Sequence, residues 1–467
     1  MNRLVLATLT LVVASDAFAQ GAEPDWARLE AETLQHFQAL VRLDTSDPPG
    51  GEAPAVAYLK QVFEKEGIPV AVFAQQPNRP NLVARLKGSG RKRPVLVLGH
   101  TDTVNVDPKK WTIPPFSAAR DSGWIYGRGT VDDKDNVVAG LMLMLELKRL
   151  KVPLDRDVIF LAEAGEEGAS QLGIQFMANQ HFPEIDAEYC FAEGGNMTRV
   201  GGELKYGSIQ TLEKLSMNVE VVAKGTAGHA SVPLLDNAVA HVSAAVAALA
   251  AWRPPIRLNE TTSTYFERLA SVSAGEEAER YRGVLDPAKA PAVVEYFLKH
   301  EPRHASMVHT SLSPTIIQGG YRSNVIPSDA KATINMRAVP EENVAEFLDL
   351  MKKVVDDPAV ELTLPARGRD AAPAETRIDS EAFKAAEAAV RKHYNVITLP
   401  MMSTGATDMR TLRGKGMQCY GVGPALDVED GPKGFGAHSD QERIVETELH
   451  RFVRFHYDLV LELARAR

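Results

Sequence analysis

Histidine and carboxylate side chains recur directly after short apolar runs in this sequence. His100 and Asp102 follow the run Val95–Leu98, and a glycine-rich stretch leads to the adjacent carboxylates Asp132 and Asp133. Ligands bind at strand ends in open α/β sheets, so His100 could hold a metal while Asp102 orients its ring. For His-x-Asp alone, a turn in which Asp102 caps backbone amides is the simpler explanation. A helix N-cap likewise explains one of the two aspartates, but less comfortably both.

Further acidic and imidazole side chains follow the same pattern. Glu166 and Glu167 lie between glycines after the run Val158–Ala162, and adjacent carboxylates repel each other unless a cation or a proton intervenes. A solvated acidic loop explains that segment equally well. Glu193 follows the next apolar run, and His438 lies in a glycine-rich loop near the C-terminus. Together these positions form a mixed nitrogen and oxygen ligand set suited to zinc or a similar divalent metal, namely His100, Asp132, Glu167, Glu193 and His438.

The segments around these residues alternate between two periodicities. Apolar spacing predicts helices at Trp26–Leu43, Ala53–Glu66 and Asn136–Leu150, and strands at Asn81–Leu86, Val95–Leu98, Val158–Ala162 and Glu188–Ala192. Alternating strands and helices indicate a mostly parallel α/β sheet. The candidate ligands therefore lie at the ends of successive elements of that sheet.

The pattern changes near Leu215, where apolar and polar residues alternate strictly. The predicted elements of this second unit are a strand at Ser216–Val222, an Ala/Val-rich helix at Asn237–Trp252, a strand at Lys331–Ala338 and a helix at Glu342–Asp356. The Pro- and charge-rich stretch Arg253–His309 reads as an elaboration of this unit. After a seam at Pro365–Pro373 the α/β pattern returns and ends in the amphipathic helix Glu446–Ala464.

One domain is therefore interrupted by another. We predict a catalytic domain formed by residues 20–212 and 366–467, with a smaller α+β lid or dimerisation domain at residues 213–365. The lid helix is unusually rich in Ala and Val, which fits a homodimer through the lid and fits a helix buried within one subunit equally well.

Composition excludes several classes of protein. The chain has 467 residues, with 52 Lys and Arg against 61 Asp and Glu, for a net charge of −9. Its 45% apolar and 24% charged residues argue against a disordered chain and a polytopic membrane protein. An acidic balance without basic runs argues against a nucleic-acid partner. Cys190 and Cys419 are too few for a disulfide scaffold, and the sequence leaves their pairing open.

Residues 1–19 have the features of a secretory signal. Arg3 precedes the apolar run Leu4–Ala14, and Ala17-Phe18-Ala19 provides the small residues of a cleavage site. A membrane anchor is the alternative, but the run is shorter than the roughly 20 residues that a hydrocarbon core requires. We therefore predict an exported protein, periplasmic or secreted, whose mature chain begins at Gln20 and has no membrane span.

The ordered motifs resemble those of the co-catalytic di-zinc exopeptidases and amidohydrolases. That family includes the glutamate-releasing carboxypeptidase, aminoacylase, acetylornithine deacetylase and succinyl-diaminopimelate desuccinylase. The resemblance covers nearly all of the mature chain. It rests on five motifs in the expected order, Gly99–Asp102, Gly127–Lys134, Glu166–Gly168, Ala192–Gly194 and Gly436–His438.

The resemblance implies two divalent metal ions in each chain, with zinc as the expected metal. His100 and Glu193 would hold one ion, Glu167 and His438 would hold the other, and Asp132 would bridge them. Two metals held a few Å apart can bind a scissile carbonyl and activate a shared water molecule.

Two carboxylates beside the metals have further implied roles. Asp102 would orient His100, and Glu166 would be the general base that takes the water proton and returns it to the leaving nitrogen.

The second unit contributes His229, in a segment that resembles the family's lid. In relatives this histidine comes across a domain or dimer interface to stabilise the tetrahedral oxyanion. A core or helix-capping histidine explains the local sequence equally well.

The resemblance also implies substrate-binding residues. Asn324 and Arg337 would bind the carboxylate of an amino-acid product, since the arginine fork matches two oxygens. Gly405 and Thr407 resemble a catalytic-domain loop that lines the same pocket, and the neighbouring Asp408 is assigned no chemical role.

The sequence departs from the family pattern at two places. Asp135 occupies a position where many relatives have Gly, which affects the turn geometry rather than the ligand. The long stretch Arg253–His309 resembles the larger carboxypeptidase and N-acyl-amino-acid hydrolase branch, which weakens the transfer of any single substrate.

The whole pattern predicts an exported di-zinc hydrolase that cleaves an amide bond next to an amino acid with a free carboxylate. Its substrate is a small peptide or an N-acyl amino acid, and the sequence does not separate carboxypeptidase or dipeptidase action from N-acyl-amino-acid hydrolysis. A catalytically silent binding protein on the same fold is the alternative from another class, although no key position is missing. A single-metal hydrolase of another fold would leave Asp132 and one histidine unexplained.

Overall fold

The computed structural model describes residues 23–364 and 376–466. The predicted signal segment 1–19 and the seam Pro365–Pro373 lie outside these residues. The helices are α1 (Trp26–Val41), α2 (Ala53–Lys65), α3 (Lys134–Arg149), α4 (Ile174–Gln180), α5 (Phe182–Ile185), α6 (Ala238–Ala251), α7 (Glu260–Val272), α8 (Gly275–Gly283), α9 (Ala290–His300), α10 (Pro302–Met307), α11 (Val344–Val355), α12 (Glu381–Tyr394), α13 (Met409–Arg413) and α14 (Glu446–Ala464).

The strands complete the element order. They are β1 (Ser46–Asp47), β2 (Val70–Phe73), β3 (Asn81–Leu86), β4 (Val95–His100), β5 (Thr103–Val104), β6 (Ala119–Asp121), β7 (Trp124–Tyr126), β8 (Val158–Glu163), β9 (Tyr189–Ala192), β10 (Asn196–Val200), β11 (Glu203–Glu213), β12 (Leu215–Lys224), β13 (Gly228–His229), β14 (Ser311–Gly319), β15 (Val325–Ile326), β16 (Asp329–Ala338), β17 (Val360–Thr363), β18 (Ile397–Ser403), β19 (Gln418–Gly421), β20 (Ala425–Asp427) and β21 (Arg443–Val445).

A ten-stranded mixed sheet carries the candidate ligands. Its order is β2-β3-β8-β4-β9-β19-β11-β10-β20, with β18 beside β11. The central strands β8, β4, β9 and β19 run parallel to one another, whereas β2, β3 and β8 pair antiparallel. The predicted α/β fold is therefore confirmed.

Alternate residues of the central strands enter two separate cores. Val97 and Phe160 pack in the core that includes residues of α1, α2, α3, α12 and α14. Leu96 and Leu161 pack in a second core with residues of α4 and α13. Because both faces are covered, these strands are continuous apolar runs in the sequence.

A smaller antiparallel sheet forms the second unit, in the order β14-β16-β12-β17. Val221 of β12 and Ile334 of β16 share a core with Val242 of α6 and Phe347 of α11. Polar residues alternate with these apolar ones along β12 and β16 because each side chain points to the opposite face from its neighbour. The smaller α+β unit predicted from that alternation is present.

Helices α7 to α10 differ from the expectation that Arg253–His309 elaborates the smaller unit. Phe266 and Leu269 of α7 share a core with Leu399 and Met402 of β18, a strand of the large sheet. The guanidinium of Arg268 also donates a hydrogen bond of 2.7 Å to the carbonyl of Thr398. These helices therefore extend the large sheet's covering. Apolar spacing shows that a helix has a buried face, but does not show which sheet covers it.

The structure also bears on the two cysteines and on membrane spans. Cys190 and Cys419 are buried free thiols in register on the neighbouring strands β9 and β19. Within residues 23–364 and 376–466, no helix is both long and apolar enough to cross a membrane.

Candidate active site

The parallel strands bring the candidate ligands to one edge of the large sheet. β4 ends at His100, β9 ends immediately before Glu193, and β8 ends three residues before Glu166. Asp132 lies just before α3, where the chain enters the helix. The carboxyl edge of a parallel sheet is where such folds bind ligands.

Asp132 lies between two histidines. Its Oδ1 is 3.0 Å from Nε2 of His100, and its Oδ2 is 2.9 Å from Nε2 of His438. The same His438 nitrogen is 3.1 Å from Oε1 of Glu167. Each oxygen of Asp132 thus faces a different imidazole, which is the geometry required of a carboxylate that bridges two metal ions.

His438 reaches this position from a loop between β20 and β21 and adopts a left-handed conformation with a φ of 61°. Such conformations are uncommon for residues other than glycine and cluster at functional sites. Hydrogen bonds with Asp132 and Glu167 raise the pKa of His438 to about 10.

Glu166 and Glu193 complete a second group around His100. One ligand atom of each of these three residues lies within 4.8 Å of the others, and the same holds for His100, Asp132 and Glu167. Burial raises the pKa of Glu193 well above its usual value, and the charges of Glu166 and Asp132 add to the shift.

The donor set fits divalent cations. Several carboxylates share a small volume, and removal from water also raises the pKa of Glu166 to about 8. Such a cluster is costly unless cations or protons offset its charge. Two imidazoles with several carboxylates suit zinc and similar metals.

Asp102 connects His100 to the loop of the paired glutamates. Its Oδ1 accepts hydrogen bonds from the amides of Gly165 and Glu166 at 2.8 and 3.2 Å, and its Oδ2 accepts one from Glu167 at 3.0 Å. The Nδ1 of His100 lies 3.6 Å from Oδ1 of Asp102 and 3.1 Å from its carbonyl oxygen. The Asp102 carboxylate therefore caps backbone amides, and the nearer partner of the His100 ring is the Asp102 carbonyl oxygen.

Burial alone would raise the pKa of Asp102, but its bonds with His100 and the amide of Glu167 hold the pKa below its usual value. An ionised Asp102 can accept the amide hydrogen bonds that fix the Glu166–Glu167 loop, and its carboxylate lies beside the His100 ring.

A buried ion pair joins the two loops that carry Asp132 and His438. Nη1 of Arg128 is 2.6 Å from Oε2 of Glu442, and Nη2 of Arg128 donates to the carbonyl of Ser439 at 3.0 Å. Oε1 of Glu442 accepts from the amide of Val131 at 2.9 Å. Both charged side chains are almost fully buried.

Sequence reasoning assigned no role to Arg128 or Glu442. Arg128 lies within the motif Gly127–Lys134, and Glu442 lies four residues after His438. Neither position reveals a pairing between two loops that are so distant in the sequence. We refer to this pair as the Arg128–Glu442 clamp.

The lid residues form a separate group. His229 is exposed on β13, and its Nδ1 is 2.7 Å from Oγ of Ser231. The carbonyl of Asn324 accepts from the amide of Ala230 at 3.1 Å, so Asn324 and His229 are neighbours. Arg337 lies on β16, where its Nε donates to Asn335 at 2.9 Å. Among the described residues, no hydrogen bond or ion pair connects these three to the cluster around Asp132.

The predicted pocket loop is held by a residue that the sequence did not reveal. Oε2 of the buried Glu213 accepts from Oγ1 of Thr407 at 2.7 Å and from its amide at 3.2 Å. The amide of Gly405 donates to Oγ of Ser403 at 3.1 Å. The Thr407 hydroxyl thus fixes the loop. Burial raises the pKa of the neighbouring Asp408 to about 7.

Comparison with known proteins identifies the family. Residues 96–462 match the model of peptidase family M20/M25/M40, which covers most of the chain, and the protein therefore belongs to this family. Its members are metallohydrolases that act on amide and peptide bonds, so the predicted class of enzyme is confirmed.

Individual relatives indicate the range of the family. The chain is 28% identical to the human N-fatty-acyl-amino acid synthase/hydrolase PM20D1, over 79% of this chain and 74% of that protein. The fold resembles the M20 metallo-carboxypeptidase Sso-CP2 of Sulfolobus solfataricus, with a TM-score of 0.68, 19% identity, and coverage of 92% of this chain and 98% of the other. It also resembles the dinuclear metal-binding peptidase YXEP of Bacillus subtilis, with a TM-score of 0.60, 14% identity, and coverage of 93% and 99%.

The clamp yields a stability prediction. Replacing Glu442 with Gln removes one charge of a buried pair, and breaking such a pair costs about 3 kcal/mol because Arg128 remains buried and unpaired. Burial raises the pKa of Glu442 to about 7, so the free energy of unfolding should be compared at pH 8, where the carboxylate is ionised. Urea unfolding of metal-free protein provides the measurement.

The matched control is Glu64→Gln, which removes the partner of Lys60 in an exposed pair 3.6 Å apart. Exposed pairs contribute about 0.5 kcal/mol, so this variant should unfold almost as the wild type does. Equal losses in both variants would show that the clamp does not hold the loops.

Proposed function

We propose that this protein is a di-zinc hydrolase that cleaves the amide bond next to an amino acid with a free carboxylate, in the manner of a carboxypeptidase or dipeptidase. The observation that carries the proposal is the arrangement in which each oxygen of Asp132 faces a different histidine, at 3.0 and 2.9 Å. A single-metal site would not require that arrangement.

In this proposal the cluster divides into two metal sites. His100 and Glu193 would hold one ion, Glu167 and His438 would hold the other, and Asp132 would serve both. When bound, the two ions supply the Lewis acidity that polarises a scissile carbonyl and activates water.

Glu166 acts as the general base. Its carboxylate takes a proton from the attacking water and returns it to the leaving nitrogen. Asp102 positions Glu166 by accepting a hydrogen bond from its amide at 3.2 Å. His229 donates a hydrogen bond to the oxygen that becomes negative as the carbonyl carbon turns tetrahedral.

The free carboxylate of the substrate binds to the lid. Arg337 offers a planar guanidinium whose fork matches two carboxylate oxygens, and Asn324 adds an amide donor. Gly405 and Thr407 line the opposite wall, with the Thr407 hydroxyl held by Glu213. An aminopeptidase would need an acidic group for the substrate amine, and we assign none.

N-acyl-amino-acid hydrolysis is the second candidate function. The human relative named as an N-fatty-acyl-amino acid synthase/hydrolase favours it, because the two sequences align over 79% of this chain. Both candidates share the same chemistry and the same carboxylate anchor. They differ only in the group on the acyl side of the scissile bond.

The lid also supports a proposed homodimer. β14 is an edge strand of the smaller sheet, and Ile316 and Ile317 on it are 51% and 59% exposed. The neighbouring helix α6 is rich in Ala and Val but buries only some of its residues. An apolar exposed edge strand is a surface that pairs with another chain. In this proposal, a second copy docked there supplies its His229 to this chain's site.

The remaining proposals concern processing and domain limits. Removal of residues 1–19 would yield an exported chain beginning at Gln20, either periplasmic or secreted. We propose residues 20–212 and 366–467 as the catalytic domain and residues 213–365 as the lid. Within that lid span, α7 to α10 pack on the catalytic sheet.

Substrate cleavage tests the proposed function directly. We expect the zinc-loaded mature chain to cleave dipeptides, N-acyl amino acids or both, to lose activity with a chelator, and to leave carboxyl-amidated counterparts uncut. Arg337→Met should raise KM for free-carboxylate substrates at least tenfold, since a bidentate ion pair is lost.

Arg322→Met is the matched control, since Arg322 is an exposed cation of the same lid region. Cleavage of amidated substrates at an equal rate would contradict the carboxylate anchor. No cleavage of any substrate by a chain with two bound metals would favour a silent binding protein.

Variants of the neighbouring residues Glu166 and Glu167 distinguish the general base from a metal ligand. We expect Glu166→Gln to keep two metals per chain and to lose kcat by a factor of at least about 10² to 10⁴, the usual contribution of general base catalysis. Glu167→Gln should instead bind one metal less. Atomic absorption and initial rates measure the two properties, and an active Glu166→Gln enzyme would rule out the base.

Mixed dimers test the role of His229. Glu166→Ala and His229→Ala are each expected to be inactive alone. If His229 acts across the dimer, mixing the two variants and allowing subunit exchange should restore activity, because one site of each mixed dimer then has both residues. Activity that stays absent although mixed dimers form would place His229 within its own subunit's site or outside the mechanism.

A further inference from the structure

An apolar groove lies between the segment around β1 and the segment that joins β5 to β6, and it has no role in the chemistry described above. Its cavity volume is about 620 Å³, within the usual range of ligand pockets. Its apolar walls are formed by Pro48, Pro49, Val106, Pro108, Pro115 and Phe116. We refer to it as the proline groove.

One wall of the proline groove is attached to the Asp102 and Glu167 segments. β1, just before Pro48, pairs in parallel with β5, which begins directly after Asp102. The carboxylate of Asp47 lies 3.7 Å from the position that a Cβ would have at Gly168, the residue after Glu167. The buried Arg79 holds Asp47 in place through a bond of 2.8 Å.

The other wall is attached to the His438 loop. The carboxamide of Gln441 donates to the carbonyl of Lys110 at 2.8 Å and accepts from the amide of Thr112 at 3.2 Å. The carbonyl of Pro115 accepts from the amide of Arg128 at 2.8 Å. Both walls are therefore bonded to segments that carry residues of the Asp132 cluster.

The charged residues that line the groove indicate which kind of substrate group it can bind. Among the described residues that line it there is no Lys or Arg, and Asp44 is the acidic one. Asp44 already accepts two hydrogen bonds from Ser46, at 3.1 and 2.7 Å. A substrate carboxylate would find no cation among these lining residues, whereas an uncharged aliphatic chain would bury apolar surface against rigid proline rings.

We propose that the proline groove binds the acyl side of the substrate, and that it takes an aliphatic acyl chain of an N-acyl amino acid. The inference rests on the proposed function, because that function places the amino-acid carboxylate at Arg337 in the lid and leaves the other side of the scissile bond to the catalytic domain. Each methylene buried in the groove then strengthens binding by up to about fourfold.

A series of substrates with one amino acid and increasing acyl length tests the groove. We expect kcat/KM to rise from N-acetyl through N-octanoyl to N-dodecanoyl-leucine in the wild type. Phe116→Ala and Val106→Asp should lower kcat/KM about tenfold for the dodecanoyl substrate while leaving the acetyl substrate within about twofold. Val72→Asp, a change at a 44% exposed valine on the outer strand β2, is the control and should behave as the wild type.

The outcomes separate the groove from the proposed function. Cleavage of all three substrates with the same chain-length profile in every variant would overturn the groove and leave the proposed function intact. If no N-acyl amino acid is cleaved, calorimetry with N-dodecanoyl-leucinamide and N-acetyl-leucinamide still decides, because these probes need no carboxylate anchor. Tighter binding of the dodecanoyl probe that Phe116→Ala weakens about tenfold supports the groove. Equal binding by wild type and Phe116→Ala overturns it.

Discussion

The crowding of carboxylates at one edge of the sheet is the constraint on which the rest of the site depends. Asp132, Glu166, Glu167 and Glu193 all approach the imidazole of His100, and like charges at such distances oppose ionisation. The pKa values of these groups reflect this repulsion. Burial and neighbouring charge raise the pKa of Glu166 and Glu193, while Asp132 and Glu167 raise that of His438. Protons on the imidazoles offset part of the charge that divalent cations would offset in the loaded site.

A cluster of that kind needs rigid support, and the chain provides it in two ways. Asp102 uses both carboxylate oxygens to hold three consecutive amides of the Glu166–Glu167 loop. The Arg128–Glu442 clamp joins the Asp132 loop to the His438 loop through a bond of 2.6 Å. The parallel strands fix where each loop begins, and these bonds fix where each loop ends. These hydrogen bonds therefore position the segments that carry the candidate metal-ligating side chains.

The sequence predicts the strand ends at the candidate site better than the residues that hold the site's loops. Strand ends such as His100 follow from the apolar runs before them, because burial on both faces makes a central strand visible. The roles of Glu442 and Glu213 could not be predicted, because a buried carboxylate that pairs with a residue far away in the sequence leaves no local pattern. The same reason explains why the sequence did not show which sheet α7 covers. Its apolar face is visible in the sequence, but the fact that this face covers β18 is decided by tertiary packing.

The relation between the lid and the catalytic sheet follows from the junction of β11 and β12. Lys214 lies there with its ammonium buried, and it donates to the carbonyls of Ser306 and His309 at 2.8 and 2.9 Å and to the hydroxyl of Ser311 at 2.9 Å. Burial lowers the pKa of Lys214 to about 7. Movement of the lid about this junction would have to preserve those bonds, since an unpaired buried ammonium is costly. The buried Lys214 therefore ties the start of the smaller sheet to the segment between α10 and β14.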